Sequence, residues 1–305
     1  MRRKLMVAMS VAGALAFTGC ADGQLRDRIR DRIAKRFADR QANQPPSGAE
    51  RMAIVGRQVD VWRPKSDGPA PLILFSHGWG GCGTQSAFLM RALADAGYLV
   101  VAPNHRDARC ASGSWSPHRG SDRPVEPFRE PDRWSDATYA DRRDDMRMVL
   151  EAVLADPGFH ADRSRVGLVG HSLGGYTVLG LAGGWPSWKL AGVKAVVALS
   201  PYCLPFVAKR SMAGATPPVE FQGGTRDFGV TPGIKKGSGC FDATPAPAAF
   251  VEFQDATHFA WTQLGTTAHE SIMRYTLAYL DHYVRGDSMP AVPGRAADVS
   301  DLRVK

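Results

Sequence analysis

The stretch VGLVGHSLGGYTVLGLAGG, residues 166–184, constrains this chain more than any other. An apolar run of strand length enters Gly170-His171-Ser172-Leu173-Gly174-Gly175 and leaves as a helix-like apolar segment. A backbone that changes from strand to helix in so few residues is crowded, and glycine is the residue that tolerates the crowding. Between the glycines stands one small polar side chain, Ser172, which a turn of this kind pushes out above the strand end. The helix that follows aims its first N–H groups and its positive dipole end at the same point.

The rest of the chain supplies a sheet for that strand. MAIVGRQVDVWRP reads as an edge hairpin, and PLILFSHG, YLVVAPN, RVGLVG, KAVVALS, PVEFQGG and AFVEFQD read as buried strands. Helix-like segments lie between them: TQSAFLMRALADAG, residues 136–155, GGYTVLGLAGG and the closing TAHESIMRYTLAYLDHYVRG. Short apolar strands alternating with helices predict an α/β fold, a mostly parallel sheet with helices on both faces. At 305 residues, 44% hydrophobic and 22% charged, the chain can bury the core of one large domain.

The N-terminus reads differently. MRRK followed by the apolar run LMVAMSVAGALAF is a signal-peptide pattern, too short to span a bilayer comfortably. FTGC then resembles the lipobox of bacterial lipoproteins, with Cys20 as the lipidated residue. Residues 1–19 are therefore expected to be a signal peptide, and 20–50 a lipidated cysteine with a charged tether. A catalytic domain should span 51–286, and 287–305 should be a C-terminal tail. The expected location is the bacterial cell envelope, lipid-anchored, or secreted if Cys20 is not modified. Of the formal net charge of +8, three charges come from residues 2–4 and three more from 21–51, so a nucleic-acid partner is not expected.

A serine nucleophile needs a base, and the base needs an orienting group. Just past the strand PVEFQGG comes Asp227, and just past AFVEFQD comes His258. Ser172, Asp227 and His258 then follow strand ends in the order serine, acid, histidine. Asp242 and Asp255 are rival acids, whereas His269 and His282 lie in the closing helix and read as surface residues. The eight histidines form no H-x-x-x-H pair, so no metal or other cofactor is expected.

With FSHGWGG at residues 75–81 added, elbow, acid, histidine and His-Gly loop together resemble the α/β-hydrolase superfamily over roughly residues 51–286. LILFSHGWGGCGTQSAFLMRALADAGYLVVAPNHRDA and GHSLGGYT look like its dienelactone-hydrolase, platelet-activating-factor-acetylhydrolase and cutinase-like branch. The resemblance implies an oxyanion hole from the N–H groups of Trp79 and Leu173. It further implies a serine carboxylic-ester hydrolase that acts through an acyl-enzyme, with an ester as partner. Dienelactone hydrolase has a cysteine where this chain has Ser172. Plasma-type acetylhydrolases have an acid where this chain has Ser200, which moves the acid one strand later, as in bacterial cutinase-like esterases. An acyltransferase on the same triad, and a non-catalytic envelope lipoprotein on a hydrolase scaffold, stay open as alternatives. In this fold Cys82 and Cys110 follow neighbouring strand ends, as do Cys203 and Cys240, so the disulfides expected are Cys82–Cys110 and Cys203–Cys240. Residues 105–135 are expected to form part of a cap that carries Trp115, Phe128 and Trp134. Core packing is expected of Trp185, Trp188 and Trp261.

Overall fold

The computed structural model describes residues 47–109 and 124–305. Nine strands form one sheet in the order β1-β2-β4-β3-β5-β6-β7-β8-β9. They are β1 (Glu50–Ile54), β2 (Arg57–Trp62), β3 (Ala70–Ser76), β4 (Leu99–Pro103), β5 (Ala161–His171), β6 (Val193–Leu199), β7 (Val219–Gly224), β8 (Ala248–Phe253) and β9 (Val299–Val304). The six strands β4-β3-β5-β6-β7-β8 pair in parallel, while β1, β2 and β9 add antiparallel edges. This is the mostly parallel α/β sheet that the alternation predicts, in the α/β-hydrolase architecture that the resemblance implies. The first hairpin turns through Val55 and Gly56, both at positive φ, as a tight two-residue hairpin turn requires.

The central strands are apolar on both faces because both faces are covered. Leu72, Leu74, Leu99, Val101, Val196 and Ala198 point into one core. Ile73, Phe75, Val100, Ala102, Val197 and Leu199 point into the other, the alternation that a pleated strand dictates. Helix α1 (Ala87–Asp95) closes the second core with the C-terminal helix His269–Leu280. Helices α2 (Ala140–Ala155) and α3 (Leu173–Leu179) close the first. Three short helices follow α3, namely α4 (Leu204–Ala208), α5 (Thr231–Lys235) and α6 (Cys240–Ala243), so the C-terminal helix is α7.

Several expectations need correction. Residues 299–304 are not a tail: they form β9, paired with β8 from Ala249↔Val304 to Phe253↔Val299. VSDLRV is a short, charged edge strand, so it lacks the apolar run that marks the others. The described part of the 105–135 insertion is no cap around Trp134. That indole is fully buried, ringed by Phe128, Tyr139, Tyr176 and Tyr202, and its N–H reaches the Pro127 carbonyl at 3.0 Å. Trp115 and the lipobox Cys20 lie outside the described residues. Trp185, Trp188 and Trp261 are core residues, as expected. His269 is half-buried and stacked on Phe88 rather than free on the surface.

Cys203 and Cys240 form a disulfide across 37 residues, joining the end of β6 to α6. Cys82 is also held in a disulfide, and Cys110 lies outside the described residues.

Beneath the strand end that carries Asp227, β7 holds a buried carboxyl group. Glu220 is completely buried; its Oε1 accepts an N–H of the Gln222 amide at 2.7 Å. Gln222 Oε1 in turn accepts the Trp261 indole N–H at 2.8 Å, tying β7 to the segment after His258. Among the described residues nothing bonds Glu220 Oε2 or the buried Tyr279 hydroxyl. Burial pushes the Glu220 carboxyl from 4.5 up to about 8, against the pull of the Gln222 hydrogen bond. Between those values the folded chain keeps a proton that the unfolded chain releases. Stability therefore falls as pH rises through the window and levels off above it. At about 1.4 kcal/mol per pH unit, the loss over the whole window is on the order of 5 kcal/mol. Glu220→Gln should remove it. Thermal unfolding at pH 6 and pH 9 should show a smaller drop in Tm for the variant than for wild type; equal drops would mean that Glu220 is ionised in the fold.

Candidate active site

Ser172 sits where β5 turns into α3, at φ 55° and ψ −114°, a conformation that costs a non-glycine residue on the order of 1–3 kcal/mol. The surroundings hold it there. Its N–H donates to Leu199 O at 3.0 Å, and its carbonyl accepts the N–H groups of Tyr202 and Tyr176 at 3.0 and 3.1 Å. The flanking glycines are required by close approach. A Cβ on Gly174 would drive into the Ser76 carbonyl, and one on Gly170 into the Gly174 carbonyl.

His258 reaches Ser172 from the loop after β8. Its Nε2 lies 2.9 Å from Ser172 Oγ. Its Nδ1 lies 3.2 Å from Asp227 Oδ1, past the end of the neighbouring strand β7. Asp242, in α6, accepts the Ser238 N–H just before that helix at 2.9 Å, and Asp255 occupies a turn at positive φ with its N–H on Thr225 Oγ1. Of the three candidate carboxylates, Asp227 is the one bonded to His258. Burial pushes the Asp227 carboxyl up, but the hydrogen bond and charge of His258, with the Ser200 hydroxyl, outweigh it and leave the group below the ordinary carboxylate range.

Ser200 is a partner that sequence reading did not assign. It stands just past the end of β6, between β5, which leads to Ser172, and β7, which leads to Asp227. Its hydroxyl donates to Asp227 Oδ2 and lies 2.9 Å from His258 Nδ1. The hydroxyl thus stands between the Asp227 carboxylate and the His258 ring, and the only hint in the sequence was a polar residue at that strand end.

Trp79 lies on the loop after β3, and its neighbours account for almost every polar backbone group there. Arg142 of α2, fully buried, donates to His77 O at 2.7 Å and to Gly78 O at 3.3 Å. Its fork also grips Asp107 through 2.8 Å contacts to both carboxylate oxygens, and Asp107 accepts the Gly80 N–H at 2.9 Å. The Arg142 charge holds Asp107 far below the usual carboxylate range despite burial, which alone would push it up. The Gly78 N–H goes to Gln85 Oε1 at 3.1 Å. Among the described residues the Trp79 N–H has no acceptor. Trp79 as a residue is 37% exposed, its ring edge-on to Phe128 at 6.2 Å, with the Arg109 guanidinium at 5.3 Å.

A second serine–histidine–aspartate line runs beneath this loop. Ser76 Oγ lies 2.9 Å from His105 Nε2, and His105 Nδ1 lies 3.0 Å from Asp145 Oδ2. Arg57 Nε closes the line on Asp145 Oδ1 at 2.5 Å. All three of its members are 2% exposed or less. Burial and the Arg142 charge push His105 below its ordinary value. Ser76 therefore has no open face for a substrate, and the line braces the base of the Trp79 loop.

The family comparison agrees with this architecture. The model of the alpha/beta hydrolase fold matches residues 71–238, more than half of the chain. This chain belongs to the alpha/beta hydrolase family. Among solved structures it is similar to a predicted CIB-like hydrolase from Thermoplasma acidophilum, with a TM-score of 0.52 and 18% identity over 76% of this chain and 96% of that one. At that identity the likeness speaks for the fold alone. No curated protein matches the sequence. Family and fold make the protein an enzyme of the hydrolase class.

Proposed function

We propose that the chain is a serine hydrolase of carboxylic esters, with Ser172 as nucleophile, His258 as general base and Asp227 as orienting acid. The observation that carries this reading is the unbroken line from Ser172 Oγ to His258 Nε2 at 2.9 Å and from His258 Nδ1 to Asp227 at 3.2 Å. Ser172 Oγ attacks the ester carbonyl while its proton passes to His258 Nε2. Asp227 and Ser200 hold the Nδ1 proton, so the imidazolium that forms is stabilised in place. The carbonyl oxygen becomes an oxyanion between the N–H groups of Leu173 and Trp79, each such donor being worth on the order of 10²–10³ in rate. His258 then gives its proton to the leaving alcohol. Water adds to the acyl-enzyme by the same route and frees the acid.

The position of the acid after β7 favours the cutinase-like side of the family resemblance. Trp79, Phe128 and Tyr202 give the site an aromatic wall, since Phe128 lies edge-on to both other rings. Such a wall suits the apolar part of an ester. A panel of p-nitrophenyl esters from acetyl to palmitoyl tests the proposal. The acetyl ester should give a burst of p-nitrophenol equal to the enzyme present, followed by steady turnover. Absence of cleavage across the panel would refute it.

A further inference from the structure

Resting on that reading, Gln85 and His171 carry a role that neither motif assigns. Gln85 lies in the short 3-10 turn Gly83–Ser86 before α1, and His171 is the residue before Ser172. Gly78 N–H donates to Gln85 Oε1 at 3.1 Å, Gln85 Nε2 meets His171 Nδ1 at 3.1 Å, and His171 Nε2 meets the His258 carbonyl at 2.9 Å. The two ends of this chain of bonds fix its direction. A backbone N–H only donates, so Gln85 must present its oxygen to Gly78 and its amide N–H to His171. Nδ1 of His171 then accepts, which puts the ring proton on Nε2, where the His258 carbonyl takes it. Neither an amide flip nor the other tautomer satisfies both ends.

The same turn grips the histidine loop a second time. Gln85 O accepts the Gln263 N–H at 2.7 Å, and Ser86 Oγ donates to Trp261 O at 2.6 Å. His171 is buried and lies face to face with Trp261 at 6.2 Å, so its ring has little freedom to turn. Burial, and then the neighbouring His258 charge, hold His171 down to about 3, so the ring stays neutral over the working range.

We infer that Gln85 and His171 form a positioning bridge, which couples the Trp79 loop to the loop that carries His258. The bridge touches no substrate. It keeps the Trp79 N–H and the His258 imidazole at a set spacing about Ser172, on which the transition state depends more than the bound ester does.

Gln85→Met keeps length and bulk and removes both polar atoms. It should lower kcat about 10- to 100-fold with KM within about two-fold, and weaken a boronate transition-state analogue by the same factor as kcat/KM. His171→Phe breaks the next link, so the double variant should lose no more than the worse single. Either kcat within two-fold of wild type in Gln85→Met, or losses that multiply, would overturn the bridge. The ring tautomer gives a measurement that needs neither variant nor substrate. In wild type the ¹⁵N resonances of His171 should report Nε2–H with Nδ1 unprotonated at neutral pH, and an Nδ1–H tautomer would overturn the bridge even if no ester is turned over.

Discussion

Replacing Asp227 with asparagine should lower kcat by about 10⁴, the loss known for the equivalent change in a serine-protease triad. An amide N–H facing His258 forces Nδ1 to accept, which moves the ring proton to Nε2 and blocks it as a base toward Ser172. An amide turned the other way keeps the tautomer but removes the charge that stabilises the imidazolium. The fold should be preserved, because Asp227 also anchors its turn through backbone bonds that the substitution leaves alone: its N–H on Gly224 O at 3.1 Å and its carbonyl to Thr231 N–H at 3.1 Å. Asp242→Asn and Asp255→Asn should stay within about two-fold of wild type, as their carboxylates do not reach His258 and changes remote from reacting groups are usually small. An Asp227→Asn enzyme that kept more than a tenth of wild-type kcat would remove Asp227 from its proposed role.

Ser172→Ala should be more severe, with kcat down by about 10⁶, since loss of the nucleophile leaves only binding and the oxyanion donors. The elbow itself should survive. The backbone bonds of residue 172 to Leu199, Tyr202 and Tyr176 do not involve the hydroxyl, and alanine meets the same φ of 55° that serine does. Circular dichroism should be unchanged and Tm nearly so. His258→Ala should fall in the same range, and the double variant should be no worse than either single, because nucleophile and base act as a unit.

Much of this arrangement can be read along the chain, for a physical reason. Parallel strands covered on both faces must be apolar throughout, so LILF, LVVA and AVVAL mark themselves. Strand-end loops put Ser172, Asp227 and His258 at the same edge of the sheet without any knowledge of side-chain packing. β9 was not legible because a solvated edge strand has no such run. Nor were the groups that hold the site. Arg142 reaches His77 across 65 residues, Gln85 reaches His171 across 86, and Ser200 reaches His258 across 58. Each is a single polar residue whose partner is set by the tertiary fold. Trp134 misled for the opposite reason. In a long polar insertion an indole looks like a pocket wall, yet its bulk fills the core between α3 and Tyr202.

Two serine–histidine–aspartate lines in one chain make the location of the nucleophile the central question. Incubation of the full-length protein with a fluorophosphonate, followed by peptide mass spectrometry, answers it directly. One phosphonyl group should appear per chain, on the peptide that contains Ser172, and Ser172→Ala should take none while keeping its fold. A wild type that stays unlabelled, equal labelling of the Ser172→Ala variant, or label on the peptide that contains Ser76 would contradict the account.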